Sequence, residues 1–158
     1  MLIREIAEED NKQVEYLIRS CLVEFGANKP GTAWSDPSLG DFYNLYKNEG
    51  SKYWVVEENK KIVAGCGIGP ITGWPDICEL QKMYAFKETR GTGISSDLLQ
   101  VVLDFAKKNY KKCYLETLSN MVAANKFYKK NGFIQLEKPL NATEHFACDT
   151  WYIKTLKE

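Results

Sequence analysis

Four consecutive residues, Arg90-Gly91-Thr92-Gly93, separate a β-like run from an amphipathic one in KMYAFKETRGTGISSDLL, residues 82–99. A helix that begins here leaves several backbone N–H groups without intrahelical partners and carries partial positive charge at its mouth. Glycine reaches positive φ and lets the chain approach a ligand closely. Consecutive amides then form an anion-sized nest, to which Arg90 would add a charge-assisted contact. The same residues also describe an ordinary strand-to-helix turn, and the loop alone does not choose between the two. Two familiar phosphate motifs are excluded. No Lys follows Gly93 as G-x-x-x-x-G-K requires, and Gly91, Gly93 and Ser96 supply only the first two glycines of G-x-G-x-x-G. A second cluster, Gly65, Gly67 and Gly69, reads as room for close strand packing or a sheet bulge.

The elements that must position this loop follow from periodicity. LIREI, residues 2–6, alternates as a short strand. Glu8, Glu9 and Asp10 favour a helix N-terminus. Val14, Leu17, Ile18, Cys21, Leu22 and Phe25 recur at helical spacing, with Gly26 as the stop. Residues 27–40 form a loop, and a shorter helix is predicted near 38–47 with Phe42, Leu45 and Tyr46 inward. Tyr53–Glu57 and Lys61–Ile68 form a hairpin around Glu58-Asn59-Lys60. Gly69, Pro70, Gly73 and Pro75 interrupt, and a strand resumes at Ile77 to Ala85. The helix after the glycine loop turns Ile94, Leu98, Val101, Val102 and Phe105 inward. A strand at 112–118, a helix at 121–130 ended by Gly132, and strands at 133–137 and 146–156 complete the chain. The order β-α-α-β-β-β-α-β-α-β-β implies a mixed sheet covered by helices.

Composition excludes several classes. The 158 residues suit one domain, with 44% apolar and 27% charged residues, as in an ordinary soluble globule. Lys+Arg and Asp+Glu both number 21, so no net field favours nucleic acid or an anionic membrane. No apolar run approaches the ~20 residues of a membrane span. MLIREIAEED does not read as a signal peptide. Cys21, Cys66, Cys78, Cys113 and Cys148 are odd in number and widely spaced, which implies free thiols and a cytoplasmic location. Asn141-Ala142-Thr143 matches a glycosylation sequon that a cytosolic protein does not use. One His and scattered Cys give no ligand spacing for a metal.

RGTGIS, Arg90 to Ser95, resembles the Q/R-x-x-G-x-G/A signature of the GNAT superfamily of acyl-CoA-dependent N-acyltransferases. Ser95 stands where Gly or Ala is usual, a small departure where a backbone amide is what the site uses. LQKMYAFKE resembles that family's fourth strand, and NMVAANKFYKKNGF, Asn120 to Phe133, resembles its second motif. The two signatures come in the family's order, ~30 residues apart. The resemblance covers nearly the whole chain and implies a single N-acetyltransferase domain over residues 1–158. The implied fold is α/β (α+β mixed): a mostly antiparallel mixed sheet of about six to seven strands, splayed between the fourth and fifth, with about four helices. It also implies acetyl-CoA as cosubstrate, a small-molecule or peptide amine as acceptor, and a homodimer as the family-level expectation. The backbone of Met83 and Ala85 would pair with the pantetheine arm as an added strand does. The pyrophosphate would sit on the amides of Arg90, Gly91, Thr92, Gly93, Ile94 and Ser95. Asn125 resembles a pantetheine-contacting residue. Asn120 is instead placed as the cap of its helix.

Acyl transfer to an amine requires loss of the amine proton, since a lysine-like ammonium has a pKa of ~10.4. It also requires stabilisation of the oxyanion, assigned to a strand amide such as that of Met83, and of the leaving thiolate. Glu79 is the candidate base, acting through water, or else a solvated strand glutamate. Simple alternation sets Glu79, Gln81, Met83 and Ala85 on one face, unless a bulge intervenes. Tyr128 matches the family's tyrosine near the cofactor sulfur, or is a core aromatic beside Phe127. A tyrosine (~10) is a weaker acid than a thiol (~8.5), so a hydrogen bond to the thiolate is favoured over full proton transfer. His145 either binds substrate or accepts a proton, or is a solvated loop residue. Cys78 and Cys148 lack a basic partner, so direct attack in a ternary complex is expected rather than a cysteine acyl-enzyme. Trp34, Phe42, Tyr43, Tyr46 and Trp74 flank loops and either line an acceptor pocket or pack the core and rim. The alternative from another class is a non-catalytic acyl-CoA-binding or sensing module.

Overall fold

The chain is described here by a computed structural model covering residues 1–141 and 145–157. The sequon at Asn141-Ala142-Thr143 therefore lies largely outside the described residues. The elements run β1 (Leu2–Glu5), α1 (Asn11–Glu24), α2 (Phe42–Leu45), β2 (Lys52–Glu58), β3 (Lys61–Ile71), β4 (Trp74–Ala85), α3 (Ile94–Asn109), β5 (Lys112–Thr117), α4 (Val122–Lys130), β6 (Ile134–Leu136) and β7 (Thr150–Thr155). The sheet order is β1-β2-β3-β4-β5-β7-β6. Every neighbouring pair is antiparallel except β4 with β5.

Two apolar clusters cover the two faces of this sheet. On one face Val14, Leu17, Ile18, Cys21 and Leu22 of α1 meet Phe42, Tyr53, Val55 and Ile62. On the other, Leu98, Leu99, Val102 and Ala106 of α3, with Tyr128 of α4, meet Trp54, Val56, Cys66, Leu80 and Leu115. Tyr53 and Val55 belong to one cluster and Trp54 and Val56 to the other, as the strand period of two dictates. The first helix is tied to the first strand by charge. Arg4 reaches the Asp10 carboxylate with both terminal nitrogens, at 2.7 and 3.0 Å, and the Ala7 amide donates to the same carboxylate. Burial works against the ionised Asp10, but Arg4 and the Ala7 amide outweigh it and hold its pKa below the usual range.

The differences from the sequence reading have local causes. The segment predicted as a helix over 38–47 is helical only at Phe42–Leu45, and Leu45 is exposed while Phe42 and Tyr46 are buried. In α3, Val101 sits at the surface and Leu99 takes its place in the core. Pro70 does not end β3. The strand runs on to Ile71, turns at Gly73 (φ +85°) and returns at Trp74, three residues earlier than predicted. The last two strands are shorter than predicted, and Phe146 lies before β7 and is exposed.

The register between β3 and β4 is broken once more. Gly65 faces Tyr84 but Gly67 faces Gln81, so β4 carries an extra residue, and Lys82 takes a left-handed φ of +52°. The Tyr53 hydroxyl donates to the Lys82 carbonyl at 2.8 Å and holds this bulge. Room for that ring comes from missing side chains. A Cβ on Gly65 would lie 2.5 Å from the Tyr53 oxygen and 2.8 Å from its ring. The glycine cluster thus serves both purposes read from the sequence, close packing and a bulge.

Gly65→Ala is expected to cost about 1–3 kcal/mol, because Tyr53 is buried and bonded and cannot retreat. Chemical denaturation checks this; a midpoint equal to the parent's would contradict the packing described.

Candidate functional site

The parallel pairing of β4 with β5 spans only three positions, Ile77–Lys112, Cys78–Cys113 and Glu79–Tyr114. Beyond them the strands part. On the β4 side of the gap the free backbone groups can be assigned. Phe86 N–H donates to the Val63 carbonyl at 3.1 Å and Tyr84 faces Gly65. Alternation then turns the N–H and C=O groups of Met83 and Ala85 toward the gap. The Ala85 carbonyl is already engaged there by Arg90 Nε at 3.0 Å, so that residue offers its N–H alone.

At the end of this gap lies the glycine loop. Gly91 (φ +79°) and Gly93 (φ +88°) both occupy the left-handed region that disfavours any side chain. Among the described residues no acceptor faces the amides of Gly91, Thr92, Gly93, Ile94, Ser95 or Ser96. A Cβ built on Gly91 or Gly93 would meet nothing within 4 Å, and Arg90, Gly91 and Ser95 border an open cavity. Arg90 does not serve it. Its guanidinium makes a two-point contact with Glu24 at 2.7 and 2.8 Å and lies 5.2 Å from the centre of the Phe25 ring. Its amide donates to the Lys87 carbonyl. The charge-assisted contact expected of Arg90 is therefore corrected to a strut between α1 and the loop.

Three cavities with shared walls run along the gap. One of about 240 Å³ lies between the glycine loop and α4, walled by Ala85, Arg90, Gly91, Ser95 and Phe127. It shares Met83, Met121 and Tyr128 with a slot of about 80 Å³ between the parted strands. The slot in turn shares Glu79, Gln81 and His145 with a cavity of about 510 Å³ on the α2 side.

The predicted site residues fall on this track in different ways. Tyr128 is buried among Phe127, Phe133 and Tyr152 with ring centroids 5.8–6.0 Å apart. Its hydroxyl makes no hydrogen bond among the described residues. Burial raises its pKa, so it stays protonated and is a hydrogen-bond donor. Glu79 borders both the slot and the large cavity. Burial raises its pKa too, with Glu116 adding to the effect and a hydrogen bond from Gln81 opposing it. The bulge at Lys82 overturns the simple alternation: Glu79 and Gln81 face the α2 side with Tyr46, whereas Met83 and Ala85 pack against the cluster under α3 and α4.

Two asparagines are corrected. Asn125 donates to the Leu118 and Met121 carbonyls at 3.0 and 2.8 Å and accepts from the Tyr152 hydroxyl at 2.7 Å. Both ends of its amide are engaged inside the protein, which removes it from the cofactor-binding set. Asn120 does not cap α4. It donates to the Phe25 carbonyl, and the helix begins after Met121 with no side-chain cap.

His145 is not a solvated loop residue. It is partly buried, with Nε2 at 2.9 and 3.0 Å from the two Asp36 oxygens. Asp36 also pairs with Lys82 Nζ at 2.7 Å. Burial disfavours the charged Asp36, yet His145 and Lys82 outweigh it and hold the carboxyl below its usual pKa. Asp36, Lys82, Gln81, Tyr114 and Glu116 line the large cavity, and sequence reasoning assigned them no role. Only Gln81 carried a signal, through its position two residues from Glu79. Of the aromatics, Tyr46 lines the cavity, Phe42 is core, and Trp74 is at the rim with its indole N–H on Asn141. Burial, with Glu116 and Glu79 nearby, pushes the Cys148 thiol up to about 12, far from a ready nucleophile. Among the described residues no cluster of His, Cys, Asp and Glu is arranged to hold a metal.

The geometry matches known proteins. The family described as acetyltransferase (GNAT) matches residues 12–133. The chain is 36% identical over 159 residues to an Escherichia coli (strain K12) protein described as the uncharacterized N-acetyltransferase YjgM, covering 98% of this chain and 95% of that one. A GNAT-family acetyltransferase of Staphylococcus aureus Mu50 superposes with a TM-score of 0.85 at 24% identity, covering 99% of each chain. An aminoglycoside 6'-N-acetyltransferase complexed with coenzyme A superposes with a TM-score of 0.73 at 19% identity, over 100% of this chain and 98% of that one.

Asn125→Leu is expected to lower stability by about 1–3 kcal/mol, because the change leaves the buried Tyr152 hydroxyl without its acceptor and the Leu118 and Met121 carbonyls with their backbone donors alone. Thermal and urea unfolding check this; unchanged stability would return Asn125 to the list of residues free to bind a ligand.

Proposed function

The chain belongs to the GNAT family of acetyltransferases, and on that premise we propose that it transfers an acetyl group from acetyl-CoA to a primary amine of a small molecule or peptide, by direct attack in a ternary complex. The observation that carries the reading is the run of six unpaired amides, Gly91 to Ser96, opening onto a cavity that follows the free edge of β4 to Tyr128. Such amides, at a helix mouth and backed by glycines, suit a pyrophosphate. An extended pantetheine arm suits the unpaired C=O of Met83 and the N–H of Ala85, which leaves the Met83 N–H for the thioester oxygen. The complex of a structural neighbour with coenzyme A agrees with this use of the fold.

The residues along the track then divide the chemistry. The acceptor enters from the large cavity, whose wall carries Glu79, Glu116 and Asp36. Glu79, with its raised pKa, is a better base than an exposed glutamate and takes the ammonium proton, directly or through water. The Met83 amide, directed into the gap, holds the oxyanion as the amine adds to the thioester carbonyl. Tyr128 donates its hydroxyl hydrogen bond to the departing thiolate. With its own pKa raised, it stabilises that charge without giving up its proton; the second proton, released by the nitrogen as the adduct collapses to the amide, passes through water to the thiolate. Cys148, kept as a thiol, takes no part.

Two measurements test the reading. Coenzyme A at 100-fold over its Kd should add ~2.7 kcal/mol of stability, seen as a rise in Tm; no rise at millimolar coenzyme A would rule out the nest as its site. Tyr128→Phe should lower kcat by about 10²-fold in a thiol-release assay across an amine panel, with coenzyme A affinity nearly unchanged. Full turnover in that variant would remove Tyr128 from the mechanism.

A further inference from the structure

We propose that Gln81 and Tyr46 are positioning residues that aim the Glu79 carboxylate into the acceptor cavity, a role that rests on the reading of Glu79 as base. The three side chains form a line. The Tyr46 hydroxyl donates to Gln81 Oε1 at 2.8 Å, and Gln81 Nε2 donates to Glu79 Oε1 at 2.7 Å. The direction of the line is fixed at Glu79, whose carboxylate can only accept. The Gln81 NH₂ therefore faces Glu79 and its oxygen faces Tyr46, whose hydroxyl donates to it. One carboxylate oxygen is held in this way, while Glu79 Oε2 accepts no hydrogen bond among the described residues.

The backbone beneath the line is shaped for it. Tyr46 packs its ring against Phe42 and Tyr53, at centroid distances of 5.4 and 5.2 Å. A Cβ on Gly67 would lie 2.9–3.0 Å from the Tyr46 ring, and one on Gly69 would lie 2.8–3.0 Å from the Gln81 amide. Two successive glycines on one face of β3 thus leave the floor on which the ring and the amide lie. The bulge at Lys82 comes one residue after Gln81, so Gln81 is the last β4 residue kept on the face of Glu79 before the strand changes face. Packing alone would be served by an apolar side chain at position 81. A half-buried amide with both of its ends bonded, seated on a glycine and ending on the candidate base, has a polar task.

The charged and titratable groups around Glu79 are Glu116 and Tyr114 from β5, Lys82 from β4, Asp36 and Tyr46 from the segment around α2, and Cys148 and His145 from the segment before β7. Glu116 raises the Glu79 pKa, whereas Lys82, His145 and the Gln81 hydrogen bond lower it. The other groups remain in a Gln81 variant, so the difference reports the amide. The N–H favours the carboxylate form, and its loss moves the Glu79 midpoint to higher pH.

The test is a carboxyl ¹³C NMR titration of Glu79, assigned with Glu79→Gln, together with pH profiles of kcat and kcat/KM. In Gln81→Leu the midpoint should rise by about half a pH unit or more, roughly threefold in the acid constant. The acidic limb of kcat should move with it, and the rate should recover at high pH, which a damaged fold would not give. Tyr46→Phe, which keeps the ring on its glycine floor, should move both in the same direction by less. It also serves where Gln81→Leu folds poorly. A Glu79 midpoint unmoved in these variants, in an enzyme whose turnover still depends on Glu79, would overturn the relay alone. Full turnover in Glu79→Gln would overturn the base and the relay together.

Discussion

The hydrogen bond from the Tyr53 hydroxyl to the Lys82 carbonyl is the constraint on which the rest of the site depends. It holds a lysine in the left-handed region, where a non-glycine residue costs of order 1–3 kcal/mol unless its surroundings fix it. The cost is offset by the buried ring of Tyr53 lying on Gly65 and Gly67, and by Lys82 Nζ on Asp36. The result is one extra residue in β4. Without it, Glu79 and Met83 would share a face. With it, the strand presents a carboxylate to one side of the sheet and the next apolar side chains to the other, within five residues.

The parting of β4 and β5 follows the same logic. Parallel pairing stops at Glu79, and the freed edges must be satisfied by water or a ligand. The cost is kept small because the gap is a set of open cavities rather than a dry core, so water or ligand reaches the polar groups. The glycine loop at its end obeys the same rule. The amides of Gly91 to Ser96 border an open cavity, and the Arg90 guanidinium beside them is neutralised by Glu24. On the function proposed above, anion recognition falls to peptide dipoles held in place by geometry, in a chain whose net formal charge is zero.

The sequence made legible what depends on periodicity and on backbone-limited residues. The apolar spacing of Val14 to Leu22 gave α1, the alternation around Asn59-Lys60 gave the β2–β3 hairpin, and Gly91 and Gly93 marked a helix mouth with unusual φ. The elements came out in the right order, and with them the mixed sheet. The losses fall where one residue's position depends on a partner far along the chain. Asn125 reads as a free amide on a helix until Tyr152, 27 residues later, is brought against it. Arg90 reads as an anion ligand until Glu24, 66 residues earlier, arrives beside it. His145 reads as a loop residue until the fold closes Asp36, 109 residues away, onto its ring. Strand ends were misjudged at Pro70 because a proline stops a strand only where its missing N–H is needed.

The triad of Lys82, Asp36 and His145 joins these two themes, since one carboxylate ties the bulge to both loops that border the large cavity. Asp36 belongs to the loop before α2 and His145 to the segment before β7. The segment of His145 is further secured to the first loop by the Ala147 N–H on the Gly31 carbonyl, with the Phe146 ring against Gly31. An ion pair at this partly buried depth contributes little stability by itself. Its effect is geometric: it joins two walls of the large cavity to the strand that carries Glu79. The backbone conformation at Lys82, the orientation of the candidate base and the shape of the large cavity therefore rest on neighbouring contacts of one strand.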